Sequence, residues 1–159
     1  MTRFESRHGW TLLEMLVVIV IVSIVAGGAA LNIGAVEGRI LSGEGERLAA
    51  LMTSARDEAI LSGQTMRVRL TQTGYRFEAE RSGLRVDLAA DDLFRPREFS
   101  AGIRLERAES TEPREDGETT LIFTPSGNDS YFDLLLTDGK RRVRVRGDAR
   151  TIHVQPEGA

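Results

Sequence analysis

One carboxylate inside an apolar run is the feature of this sequence with the clearest chemical meaning. Residues 10–31 are almost wholly apolar, and Glu14 is the only ionisable side chain among them. A charged side chain in hydrocarbon is costly, on the order of a few kcal/mol, and it marks a functional site by default. Glu14 therefore needs a cation. Gly9 lies five residues before it, where the polar N-terminal segment meets the apolar run.

Cleavage of the chain after Gly9 would create such a cation. The new α-amino group of Trp10 would lie four residues from Glu14, which places the two groups near the same face of a helix. A charge pair within one chain or between neighbouring chains then becomes possible. The helix macrodipole also favours a carboxylate near a helix N-terminus. The spacing thus predicts processing between Gly9 and Trp10, and it predicts a pairing role for Glu14.

The residues that usually carry catalysis are sparse in this chain. There is no cysteine, and beyond residues 1–9 the only histidine is His153. No cluster of His and carboxylate residues has metal-ligand spacing, and the adjacent acids Asp91 and Asp92 are of the kind that solvent usually surrounds. Ser126 lacks the strand-to-helix context of a nucleophile elbow. We therefore predict a protein that is not an enzyme, with no catalytic residue, no metal site and no cofactor.

Charge is unevenly distributed, although the net charge is only -3. An acidic stretch over residues 109–118 is expected to form a solvated loop, and residues 140–150 are basic. In the basic segment three arginines fall on one face of a strand by period two, and these are Arg142, Arg144 and Arg146. That face fits either DNA phosphate or neighbouring acids, of which the candidates are Glu78, Glu80 and Asp133. No aromatic residues are interleaved with the arginines, so nucleic acid is the less favoured partner.

The apolar run must form an element that positions Glu14. A helix needs about 20 such residues to cross a bilayer, and lipid requires backbone hydrogen bonds to close within the segment. Arg3 and Arg7 precede the run, which predicts a cytoplasmic N-terminus and an exported remainder. Glycines then follow, and each costs a helix about 1 kcal/mol, so a softened or broken helix is expected between Gly27 and Gly45.

The rest of the chain predicts one more helical segment and then strands. Helix is expected to resume near Glu46 and to end at Gly63, with an apolar stripe formed by Leu48, Leu51, Met52, Ala55 and Ala59. Period-two alternation then predicts a hairpin over residues 66–79. Further strands are expected at 84–88, 103–107, 119–124, 131–136, 142–146 and 151–155, with loops at 91–96 and 109–118. The fold class is α+β: a long N-terminal hydrophobic helix packed on a C-terminal antiparallel β-sheet head.

The N-terminal motif carries a family resemblance. The sequence Gly-Trp-Thr-Leu-Leu-Glu at residues 9–14 resembles the class III signal of type IV pilins and type II secretion pseudopilins. The resemblance implies cleavage after Gly9 by a prepilin peptidase and N-methylation of Trp10. It also implies pairing of Glu14 with the N-terminal amine of an adjacent subunit. The family usually has phenylalanine as the first mature residue, and this chain has Trp10 in that place.

The resemblance continues into the head. Residues 46–63, the hairpin around 74–77 and the segment 123–127 are together similar to the H-type minor pseudopilin and to minor pilins of the FimT/FimU kind. The division it implies is a leader at 1–9, a transmembrane and fibre-core helix at 10–31, a linker and amphipathic helix at 32–63, and a periplasmic head at 64–159. Implied partners are the prepilin peptidase, other minor and major pseudopilins and the inner-membrane assembly platform.

Several alternatives stay open at this point. An ordinary secretory signal would be cut near Gly28-Ala29-Ala30, and an unrelated periplasmic binding module would keep an uncleaved anchor. Neither explains why Gly9 and Glu14 stand where they do. A minor type IV pilin, acting in pilus assembly, adhesion or DNA uptake, shares the processing signal. The function predicted from the sequence is a minor pseudopilin of the inner membrane and pseudopilus that supports protein export.

Overall fold

The computed structural model describes residues 12–148 and 150–157, and for residues 27–37 it describes the backbone alone. The chain divides into two compact units, Met1–Glu37 and Gly38–Ala159. The described part contains one helix, α1 (Leu12–Ser62). It contains nine strands, which are β1 (Met66–Leu70), β2 (Gly74–Arg81), β3 (Leu84–Asp87), β4 (Arg97–Glu98), β5 (Arg104–Ser110), β6 (Thr119–Phe123), β7 (Phe132–Thr137), β8 (Arg142–Gly147) and β9 (Ile152–Glu157).

Helix α1 is continuous through the glycine-rich segment, so a break between Gly27 and Gly45, one of the two predicted outcomes, is wrong. Packing explains part of the difference. A Cβ atom at Gly45 would lie 2.8 Å from Cγ1 of Val143, so the missing side chain lets α1 approach β8 closely. The helix cost of that glycine, about 1 kcal/mol, is offset by the close contact that it permits.

The strands form two antiparallel sheets. The first has the order β3-β2-β1-β6, with β4 paired to β2, and the second has the order β5-β7-β8-β9. The hairpin of β1 and β2 has the predicted alternation, with Met66 opposite Ala79 and Leu70 opposite Tyr75. The second sheet is a meander from β7 to β9, in which Val145 pairs with Leu134 on one side and with Val154 on the other.

One hydrophobic core joins the two sheets and the second half of α1. The predicted apolar stripe of the helix is buried, with Leu48, Met52, Ala55 and Ala59 all 0% exposed. Rings from the two sheets meet there, because Phe123 of β6 and Phe132 of β7 pack edge to face with centroids 6.5 Å apart. The α+β fold class predicted from the sequence is confirmed.

One short strand was not predicted, and one predicted loop differs in part from the structure. The short strand β4 follows the predicted loop at 91–96 and adds to the edge of β2, with Gly74 opposite Glu98. Strand β5 extends through Glu109 and Ser110, which the sequence predicts to be part of the acidic loop. Both segments are too short or too polar to show an alternation in the sequence, and pairing with a neighbouring strand decides their conformation.

Candidate functional site

Glu14 lies in the first turn of α1 and its side chain is exposed. A carboxylate in this position is favoured by the partial positive charge of the helix N-terminus. Gly9 and Trp10, the other two residues of the predicted processing and assembly site, lie outside the described residues. The structure therefore gives the helical setting of Glu14, and the cleavage and methylation at residues 9 and 10 stay predictions.

The side chains that surround Glu14 along the helix are apolar and exposed. Every residue from Met15 to Val22 is at least 41% exposed, and these eight consecutive positions make more than two turns. The exposed apolar surface thus runs around the helix and is not confined to one stripe. A helix that is apolar all round requires an apolar environment, either other protein or lipid. No helix within the described residues is both long and apolar enough to cross a membrane.

The arginine face of β8 is paired with acids. Arg142 donates to both carboxylate oxygens of Glu106 at 2.7 and 3.0 Å, and Arg146 donates to Asp133 at 2.7 Å. These hydrogen bonds are the main reason that the pKa values of Arg142 and Arg146 are raised. Arg144 lies between Asp133 and Glu157. Phosphate would have to displace these carboxylates, so the pairs favour a sheet face stabilised by its own acids.

Of the three candidate acids for that face, Asp133 is a partner and the other two are not. Glu78 lies within ion-pairing distance of Arg69 and Arg76, and Glu80 lies 3.4 Å from Arg67. Both acids belong to β2, in the other sheet. Sequence alternation identifies a charged face, but only sheet topology decides which acids reach it.

The acidic segment 109–118 is only partly the expected solvated loop. Residues 109 and 110 belong to β5 of the second sheet, and Glu115, Asp116 and Glu118 pair with arginines of the first sheet. Arg69 and Arg76 are direct cross-strand neighbours, and like charges in that relation destabilise a sheet. Glu118 relieves the repulsion, since its carboxylate is 2.7 Å from Arg69 and 2.8 Å from Arg76. Asp116 binds Arg69 at 2.9 Å, and this hydrogen bond is the main cause of a raised pKa for Arg69. The sequence indicates this contact indirectly, because the predicted hairpin places Arg69 and Arg76 opposite each other.

Arg56 of α1 is the ion-pairing residue that the sequence pattern missed. It is 8% exposed, and its Nε donates to Oδ2 of Asp129 at 2.6 Å. Its Nη2 donates to the backbone carbonyl of Asp148, and its guanidinium lies 5.7 Å from the centre of the Phe123 ring. Asp129 also accepts the backbone N–H of Thr124 at 2.9 Å. Arg56 thus connects the helix to the β6–β7 connection and to the β8–β9 turn.

The residues weighed for catalysis have structural neighbours of other kinds. Oδ1 of Asp91 accepts the backbone N–H groups of Leu93 and Phe94, and Oγ of Ser126 lies 3.0 Å from the hydroxyl of Thr124. His153 lies in β9 opposite Arg146. Among residues 12–148 and 150–157, no three His, Asp or Glu side chains are grouped so that they could hold a metal ion.

The β7–β8 turn is held by Asp138. Its carboxylate accepts the backbone N–H groups of Lys140 at 2.8 Å and Arg141 at 2.7 Å, and the bond from Arg141 is the main reason for its lowered pKa.

A carboxyl with a lowered folded-state pKa, such as that of Asp138, stabilises the structure above its unfolded pKa of about 3.9, and the contribution is lost as pH falls through the folded value. We expect the hydrogen-exchange protection factors of the Lys140 and Arg141 amides to fall over that acidic range. The Gly127 amide, which donates to the Thr124 carbonyl, is the control. Equal pH dependence of all three amides would contradict the prediction.

Comparison with known protein families gives one match for the N-terminal segment and one for the head. The family model described as "Type II transport protein GspH" matches residues 44–157. A second model, "Prokaryotic N-terminal methylation motif", matches residues 6–30 and therefore includes Gly9, Trp10 and Glu14. Comparison with curated protein sequences gave no match.

Two solved structures of the minor pseudopilin EpsH from the type 2 secretion system of Vibrio cholerae are similar to the chain. The first has a TM-score of 0.61 at 20% identity, covering 75% of this chain and 98% of that one. The second has a TM-score of 0.59 at 17% identity, covering 76% of this chain and 97% of that one. At these identities the likeness is one of fold.

Proposed function

This chain belongs to the GspH family of type II transport proteins, and we propose from that premise that it is a minor pseudopilin subunit of a type II secretion pseudopilus. In this role it supports protein export as a component of a fibre. The observation that carries the proposal is the combination, in one chain, of an N-terminal methylation motif at residues 6–30 with a GspH head at residues 44–157.

The proposed mechanism begins with the apolar segment of α1. The chain is held in the inner membrane by residues 10–31, with its N-terminus in the cytoplasm and its head in the periplasm. The side chains from Met15 to Val22, exposed around the whole helix, support an apolar partner for this segment. Prepilin peptidase cuts after Gly9, and the amine of Trp10 is methylated.

Assembly then moves the helix from lipid into the core of the pseudopilus. Lipid and protein are similarly apolar, so this transfer by itself yields little hydrophobic free energy. Specific polar pairs therefore have a large share in selecting position and register. The exposed Glu14 in the first turn of α1 is suited to pair with the N-terminal amine of a neighbouring subunit. The partners in this scheme are the other minor and major pseudopilins and the inner-membrane assembly platform.

The mass of the N-terminal peptide of the protein purified from membranes tests the processing step. We expect a mature chain that begins at Trp10 and carries one methyl group on its amine. An N-terminus near Ala30 would indicate an ordinary secretory signal, and an intact residue 1 would indicate a permanently anchored module. Either of these results would overturn the proposal.

Replacing Glu14 by alanine tests the assembly step. We expect Glu14→Ala to be cleaved as the wild type is, because the variant keeps the apolar run and Gly9. Its incorporation into pseudopili should fall on the order of tenfold, the equivalent of about 1.4 kcal/mol for one lost charge pair. The measurement is the ratio of fibre-associated to membrane protein in sheared fractions.

Ser23→Ala is the matched control for Glu14→Ala. Ser23 is the other polar residue of the described apolar segment, and its hydroxyl already donates to the carbonyl of Ile19 at 2.7 Å. Its removal should leave incorporation unchanged. Wild-type incorporation of Glu14→Ala would exclude Glu14 from the assembly mechanism.

A further inference from the structure

A groove opens on the head between the helix and the second sheet. Its cavity of about 350 Å³ lies where α1 passes β8, β9 and the β7–β8 turn. Gly38, Leu41 and Ser42 line it from the helix, and Val143 and Pro156 line it from the strands. Leu41 and Val143 are 1% and 3% exposed and lie beneath the groove, whereas Pro156 is exposed and presents apolar surface to it.

The rim of the groove carries three cations, Lys140, Arg141 and Arg142, and one acid, Glu157, which is paired with Arg144. The guanidinium of Arg141 lies against Gly38, where a Cβ atom would overlap its Nη1. Gly38 is therefore the residue that allows Arg141 to lie across the helix. Arg142 is paired with Glu106, whereas no carboxylate among the described side chains is within ion-pairing distance of Arg141. Arg141 is thus a cation at the mouth of the groove.

The chain itself limits how far this groove lies from the apolar segment. Gly38 is seven positions along the chain from Leu31, the end of the proposed membrane span. Even a fully extended chain of that length reaches only about 25 Å. If residues 10–31 lie in the membrane as the proposed function requires, the groove is held within reach of the lipid headgroups. Anionic lipids attract basic residues there by about 1 kcal/mol for each Lys or Arg, or roughly fivefold in affinity.

We propose that this groove binds an anionic phospholipid of the surrounding bilayer while the subunit is in the membrane. The phosphate accepts hydrogen bonds from the guanidinium of Arg141, whose planar donors suit a phosphate group. The carbons next to the headgroup lie against the exposed ring of Pro156. The inference rests on the proposed membrane location of the chain, and it adds a ligand for the head to that proposal.

Native mass spectrometry of the full chain in detergent micelles tests the inference. Phosphatidylglycerol and phosphatidylcholine with the same acyl chains are titrated separately, and the dissociation constant of the first bound lipid is measured. We expect phosphatidylglycerol to bind at least about fivefold more tightly. Arg141→Gln should remove that preference.

Two glycines of α1 give a matched pair of further variants. Gly38→Ala improves helix propensity but displaces Arg141, and we expect it to weaken phosphatidylglycerol binding as Arg141→Gln does. Gly43→Ala makes the same change where a Cβ atom meets nothing within 4 Å, and it should bind as the wild type does. Equal affinity for the two lipids, or equal effects of the two glycine variants, would overturn the inference. The proposed function is tested separately, because N-terminal processing does not depend on these variants.

Discussion

A Gly9→Ala chain is expected to keep its nine-residue leader and to be absent from pseudopili. In the family signal the peptidase cuts after this glycine, so a side chain there blocks the step that all later steps need. The α-amine of Trp10 is then never released, so Glu14 of the neighbouring subunit has no amine to pair with. Retention of Arg3 and Arg7 adds two cations that would have to enter the fibre core. The defect should therefore be more severe than that of Glu14→Ala.

Gly28→Ala is the control for this variant. It makes the same substitution inside the apolar run, away from the junction at Gly9. We expect Gly28→Ala to be processed as the wild type is. The measurement for both variants is the N-terminal peptide mass together with the fibre-associated fraction. A Gly9→Ala product that begins at Trp10 would contradict the predicted site.

Arg56→Ala is expected to destabilise the protein by about 3–5 kcal/mol, because it leaves one partner of a buried ion pair alone. The side chain of Asp129 is 0% exposed, so without Arg56 its charge would be buried with no cation beside it. The carbonyl of Asp148 would lose a donor as well. A domain has about 5–15 kcal/mol of stability in total, so this loss is a large share. The measurement is the urea midpoint for unfolding of the full chain in micelles, with the circular dichroism of the sheets as the signal.

Two further variants separate the pair from general effects of the substitution. Arg85→Ala removes an arginine whose side chain is 49% exposed and whose partner, Glu115, is 30% exposed. It should cost no more than about 1 kcal/mol, as exposed pairs do. Arg56→Met combined with Asp129→Leu should recover much of the stability, because no uncompensated charge remains. Equal destabilisation by Arg56→Ala and Arg85→Ala would contradict a special contribution of the Arg56–Asp129 pair.

Local patterns in the sequence predicted most of the elements. Leu48, Met52, Ala55 and Ala59 recur at helical spacing, and the structure buries all four. The alternation around Met66 gave the β1–β2 hairpin. These predictions succeed because the burial of one face depends on the period of neighbouring residues, which a short segment contains in full.

By itself the sequence determined the N-terminal motif with Gly9, Trp10 and Glu14, the α+β class, and the location of the charged segments. Only the tertiary structure decided that Arg56 binds Asp129, that the acidic segment binds the arginines of the first sheet, and that Arg141 lies over Gly38. Gly45 combines the two kinds of effect. Its unfavourable helix propensity is a local property of the sequence, whereas its close contact with Val143 joins residues that are far apart along the chain. Ion pairs and close packing join residues that are far apart in sequence. Their partners are therefore fixed by the arrangement of the sheets and the helix, which no local pattern contains.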